Sequence, residues 1–138
     1  MSKAPTFDTM KALFPYVATT DDITVRVAVS YLAEQSAPAS GRWFWSYHIR
    51  IENGSNRSVQ LLSRHWRIRD GRGTLNEVRG EGVVGETPLI APGASFDYVS
   101  GCPLPTATGR MEGSYRFVDE NGMLIEVAIP AFPLAGPA

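Results

Sequence analysis

Cysteine occurs once in this 138-residue chain, at Cys102. No intrachain disulfide can form, which fits a reducing compartment. Histidine occurs only at His48 and His65, seventeen residues apart and with no cysteine or acidic cluster beside them, so no metal-ligand spacing is present. Lysine is scarce: Lys3 and Lys11 are the only two, and the other eleven basic residues are arginine. There is no excess of either charge. Thirteen basic against fourteen acidic residues leave a formal net charge of −1, so no global field recruits nucleic acid or an anionic membrane. No apolar run is long enough to span a bilayer. The opening "MSKAPTFDTMKALFPYVATT" is broken by Asp8 and Lys11 and flanked by Pro5 and Pro15, unlike a secretory leader. The expectation is a cytoplasmic protein that meets neither nucleic acid nor membrane.

What is present is alternation. From Ile23 to Tyr31, apolar Ile23, Val25, Val27 and Val29 alternate with Thr24, Arg26, Ala28 and Ser30, the pattern of a half-buried strand. "RWFWSYHIRIEN" repeats it, with Trp43, Trp45, Tyr47, Ile49 and Ile51 on one face and Phe44, Ser46, His48, Arg50 and Glu52 on the other. Asn53-Gly54 has hairpin-turn chemistry. In the next strand, residues 59–69, the apolar phase slips from Val59 and Leu61 to Leu62, Trp66 and Ile68, which predicts a bulge or a bend between sheets. Further strands are expected near residues 75–78, 94–100, 111–117 and 123–129, and no convincing helix of ten residues follows Asp22. Seven or eight strands in one domain imply an all-β antiparallel sandwich of the fibronectin type III or immunoglobulin kind. Without a Cys…Trp…Cys spacing it is not a true immunoglobulin domain. Residues 1–20 are expected to be a flexible segment, 21–132 the sandwich, and 133–138 a flexible tail, because the prolines of "PAFPLAGPA" oppose regular structure.

Gly80-Glu81-Gly82-Val83-Val84-Gly85 is a literal G-x-G-x-x-G. A dinucleotide loop needs a buried strand before it, a helix after it and a carboxylate about twenty residues on. Residues 75–79 are too polar for such a strand, Pro88 and Pro92 forbid the helix, and no carboxylate lies between Asp97 and Glu112. The glycines are therefore expected to bend a strand or admit a close backbone. The alternative is an anion-binding nest for pyrophosphate or a nucleotide at Gly80, Gly82 and Gly85, assisted by Arg64 and Arg79.

"ITVRVAVSYL", "WSYHIRIENGSNRSVQLLSRHWRIRDGRG", "GEGVVGETPLIAPGASFDYVSGCPL" and "GRMEGSYRF" occur in order and together resemble the ApaG family, bacterial proteins and domains fused to some eukaryotic F-box and polymerase-interacting proteins. The resemblance covers residues 22–132. It implies a fibronectin type III-like sandwich, protein–protein interaction in the eukaryotic fusions, and a link with cobalt and magnesium homeostasis in bacteria. It implies no established activity.

Nothing in the chain arranges a nucleophile beside an oriented base, so no catalytic residue, cofactor or metal ligand is expected. A binding module is the expected function, with a protein partner or a second copy pairing at an edge strand. Phe44 and Arg50, on the polar face of their strand, and the rigid loop at Pro88 and Pro92 are the expected contact surface.

Overall fold

The seven expected strands all form, and two more join them. The computed structural model describes residues 7–137. A short helix, α1 (Phe7–Leu13), precedes β1 (Tyr16–Thr20), β2 (Ile23–Tyr31), β3 (Trp43–Asn53), β4 (Val59–Asp70), β5 (Leu75–Glu81), β6 (Leu89–Ile90), β7 (Ser95–Leu104), β8 (Thr108–Asp119) and β9 (Leu124–Ala135). One sheet has the order β1-β2-β3-β7 and the other β5-β4-β8-β9, with β6 beside the start of β4. Neighbouring strands are antiparallel throughout. The fold is the antiparallel β-sandwich that the alternation implies.

The odd-numbered face of β3 is buried from Trp45 to Ile51, and Ile23, Val25 and Val27 of β2 lie beside it. They meet Leu61, Trp66, Tyr115, Phe117, Val127 and Phe132 of the second sheet. Tyr47, Trp66 and Phe132 form an aromatic centre, with ring centroids 5.4 Å apart for Tyr47–Trp66 and 6.1 Å for Trp66–Phe132. The phase slip in β4 is a bulge: its register against β8 shifts between Leu61 and Ser63. Inward positions change from odd to even there, because strand side chains alternate with period two.

Asn53-Gly54 does not close a hairpin. β3 and β4 belong to different sheets, and the buried Asn53 side chain ties the crossover between them. Its Nδ2 donates to the carbonyls of Arg57 (2.7 Å) and Ile90 (3.0 Å), while its Oδ1 accepts from the Ser55 amide (3.0 Å). The β1–β2 hairpin turns instead at Asp21 and Asp22, both at positive φ, a conformation that short acidic side chains tolerate.

Regular structure extends into both segments expected to be flexible. Residues 1–6 lie outside the described residues, but the rest of the segment 1–20 supplies α1 and the edge strand β1. Phe14 is buried and packs edge-on against His48, with centroids 4.9 Å apart. The tail continues as β9 through Ala135. Pro130 is accommodated because two residues, Pro130 and Ala131, face one between the pairs Met111–Phe132 and Gly113–Ile129. Bulges and edge strands are where proline fits in a sheet. The indole nitrogens of Trp45 and Trp43 then donate to the carbonyls of Ala135 (3.1 Å) and Pro137 (2.8 Å). Ala138 lies outside the described residues.

The two long sides of the sandwich differ. On one, β9 packs against β1 and β2, and the Ala128 amide donates to Thr20 Oγ1 at 3.2 Å. On the other, β5 and β7 each end their sheet with one edge unpaired. Because Leu134 is buried to 1% exposure, Leu134→Ala is expected to lower the unfolding free energy by about 2–5 kcal/mol in urea titration. A free tail would show no change.

Candidate functional site

The unpaired edges of β5 and β7 bound a cleft of about 400 Å³. Trp66 and Ile68 of β4, Val78 of β5, Cys102 and Leu104 of β7 and Met111 of β8 give it apolar walls, and Tyr47, Ser100 and Arg64 line it as well. Arg64 reaches this space because of the β4 bulge. It pairs across the sheet with Tyr115 on one side and Gly80 on the other, and Tyr115 is fully buried, so Arg64 projects between the sheets. Its Nη1 donates to the carbonyls of Glu81 (2.9 Å) and Gly82 (2.8 Å). A Cβ on Gly80 would stand 2.9 Å from the guanidinium carbon, so the absent side chain is what lets the guanidinium lie there.

Three tyrosines, Tyr47, Tyr98 and Tyr115, lie close enough to feel this arginine's charge. The hydroxyls of Tyr98 and Tyr115 hydrogen-bond to each other. Burial pushes both pKa values up, which keeps them neutral donors, and the Arg64 charge opposes that rise. Burial also raises Tyr47, against smaller opposing effects of Ser100 and Arg64. Of these tyrosines only Tyr47 lines the cleft, which joins the Arg64 cation and the Tyr47 and Ser100 hydroxyls to apolar walls, with Asp70 also in its lining.

The glycine segment is a tight turn beside this site. Gly82 (φ +59°), Val84 (+44°) and Gly85 (+81°) all have left-handed backbone. The Val83 amide donates to the Glu86 carbonyl (2.8 Å) and the Glu86 amide returns to Val83 (2.9 Å). A Cβ on Gly82 would run into the Glu86 carbonyl oxygen. The Gly82 amide donates to the Leu62 carbonyl at the β4 bulge (2.9 Å), and Val83 is buried in the core. Carbonyls thus occupy the amides of Gly82 and Val83, so these two amides are not free for an anion. Arg79 is exposed on the opposite face of β5, 4.0 Å from Glu77.

The expected contact residues do not converge. Phe44 is half-buried, its ring lying over Gly101, where a Cβ would come within 2.6 Å of it. Arg50 shares its face but stands six residues along, about 20 Å in an extended strand. It belongs to a charge ladder, donating to Glu52 (2.9 Å) and Asp97 (3.0 Å). Arg26 also donates to Glu52 at 2.9 Å, and His48 Nε2 lies 2.8 Å from Asp97. Pro88 and Pro92 flank β6, where Ile90 is buried and the Pro88 carbonyl accepts from Leu61 (3.0 Å), so that loop is pinned to β4. The inward Arg64 and the cleft were the features hardest to read from the chain. The signal was Arg64's place on the Leu62–Trp66–Ile68 phase, amid apolar residues.

Cys102 is buried, and burial pushes its thiol up to about 11, which opposes a nucleophilic role at neutral pH. Among the described residues no group of three or more His, Cys, Asp or Glu side chains gathers as a metal site would require. No helix there is long and apolar enough to cross a membrane.

Architecture and cleft together define a small β-sandwich domain with one side open between two edge strands. The ApaG domain model matches residues 33–119, and the chain belongs to that family. "Protein ApaG" of Methylobacterium sp. (strain 4-46) is 52% identical over 122 residues, covering 88% of this chain and 94% of the relative. The Rhodospirillum centenum (strain ATCC 51521 / SW) protein of the same name is 51% identical over equal shares. The crystal structure of the putative ApaA protein from Bordetella pertussis superposes with a TM-score of 0.81 at 50% identity, covering 84% of this chain and 94% of that one.

Three outcomes follow from this geometry. Val84 is exposed, β-branched and at positive φ, so Val84→Gly is expected to raise stability by about 1 kcal/mol in thermal unfolding. Cys102 should alkylate with iodoacetamide far more slowly in the native protein than in urea, the native rate rising as pH approaches 11. Burial disfavours the Glu52 charge, but hydrogen bonds from Arg50 and Arg26 outweigh it and hold its pKa below the usual carboxylate range. The associated stability is present above that range and is lost as pH falls through the lowered value. Glu52→Gln should remove this acid-side loss from the stability–pH curve, an effect of up to about 1 kcal/mol for a partly exposed pair.

Proposed function

We propose that this protein is a non-enzymatic, cytoplasmic interaction module that receives an extended segment of a protein partner along β7, over the cleft. The observation that carries the reading is the asymmetry of the sandwich: one side is sealed by β9, while the other leaves two strand edges unpaired around an apolar cleft. An unpaired edge offers backbone donors and acceptors to an added strand, and a lined cleft selects its side chains. Of the two edges, β7 suits a partner better. β5 carries Glu77, Arg79 and Glu81, the charged residues that discourage pairing, whereas residues 99–102 of β7 are uncharged and Val99 is 59% exposed. A link with cobalt or magnesium homeostasis, implied by the family resemblance, would run through the partner.

The test is a display selection for peptides that bind the folded protein, followed by amide chemical-shift mapping. Shifts at Val99, Ser100, Val78 and Arg64 are expected. Shifts confined to the Phe44 face or to the turn at Gly82 would overturn the β7 reading. Bound material consisting only of a second copy, detected by analytical ultracentrifugation, would replace the partner with a homodimer. Thermal unfolding with pyrophosphate, nucleotides, magnesium or cobalt should show no saturable shift, where a folded-state ligand at one hundred times its dissociation constant would add about 2.7 kcal/mol.

A further inference from the structure

Seven of the eleven arginines in this chain are accounted for by carboxylates. Arg26, Arg50, Arg57, Arg67, Arg79, Arg110 and Arg116 each lie within 4.0 Å of one. Among the described residues Arg42, Arg64, Arg69 and Arg72 do not, and of these only Arg64 is not exposed. Asp70, the carboxylate that also lines the cleft, cannot serve it. Asp70 is six residues along the same strand, about 20 Å away in extended chain, and its Oδ1 accepts from the amides of Arg72 (2.8 Å) and Thr74 (3.1 Å).

The arginine's own carbonyl contacts are made through Nη1, so Nε and Nη2 form no hydrogen bond to protein among the described residues. At this level both edge strands carry small inward residues, Gly80 on β5 and Ser100 on β7. The mouth is therefore least filled by edge-strand side chains where the cation sits. A half-buried cation at the end of an apolar cleft is complementary to one anion, held by charge-assisted hydrogen bonds of the bidentate kind that guanidinium favours.

We infer that the segment received along β7 carries an acidic side chain, Asp or Glu, between apolar residues, and that Arg64 is its anchor. The inference rests on the docking reading above. An added strand sends alternate side chains inward, so a side-chain carboxylate can reach Arg64 while its inward neighbours lie against Trp66, Ile68 and Val78. Tyr47 and Ser100 line the same cleft and add hydroxyl donors.

The test uses random peptides displayed internally, without a free C-terminus, on the intact protein, with a parallel library that ends in a free carboxylate. The internal library is expected to enrich one acidic position flanked by apolar ones. Replacing that acid by its amide, or Arg64 by methionine, should each weaken binding by about thirtyfold or more. The two losses should not add in a double-mutant cycle, and Arg64→Lys should keep part of the affinity. Should Arg64→Met fail to fold, the change in the peptide alone still decides the matter against the unaltered protein. Peptides that map to β7 but show no acid preference overturn the inference and leave the docking reading standing. Enrichment from the free-carboxylate library alone overturns the side-chain source. Failure of both libraries overturns inference and docking reading together.

Discussion

The register shift between Leu61 and Ser63 is one extra residue in β4, and much of this molecule depends on it. Before it, odd positions face the core and Val59 and Leu61 are buried; after it, Trp66 does the same from an even position. Without the shift, Trp66 would leave the aromatic centre it forms with Tyr47 and Phe132, and His65 and Arg67 would enter the core. A one-residue slip reverses every later side chain in a strand. The fold accepts the bulge because the Leu62 carbonyl, displaced from the ladder, is held by the Gly82 amide.

That hydrogen bond explains why the glycine segment and the arginine belong to one device. Gly82 turns the chain back toward the bulge, Val83 anchors the turn in the core, and Gly80 leaves room for a guanidinium. Arg64 then bonds the carbonyls of Glu81 and Gly82, which fastens the end of β5 to β4. A motif that resembles a nucleotide loop in spacing is here a clamp on a strand bulge. The amides of Gly82 and Val83 point at carbonyls, and no helix follows to present free ones.

The charged outer face of the β1-β2-β3-β7 sheet behaves differently from the cleft. Arg26, Arg50, Glu52, His48 and Asp97 satisfy one another in a ladder, and Phe14 covers His48. Paired charges on a sheet face stabilise modestly and ask for no partner. The cleft brings a cation inward and leaves it with carbonyls alone, so the two faces present opposite cases for recognition.

By itself the sequence determined the strands, the two-sheet architecture and the family, because alternation is local and the motifs occur in order. It also carried the bulge, since a phase slip is visible in Leu61, Leu62 and Trp66 without any partner strand. Other features depended on contacts distant in the chain. Asn53-Gly54 reads as a hairpin turn until the Ile90 carbonyl, thirty-seven residues away, claims the asparagine amide. The proline-rich end reads as a tail until Trp43 and Trp45 bind its carbonyls from ninety-four and ninety residues away. Arg64 reads as an accessory to the glycine segment until Tyr115 and Gly80 are brought to either side of it. Local pattern specifies which residues pair into strands, whereas the cleft exists only where two edges from different sheets are left facing each other, and that is a property of tertiary structure alone.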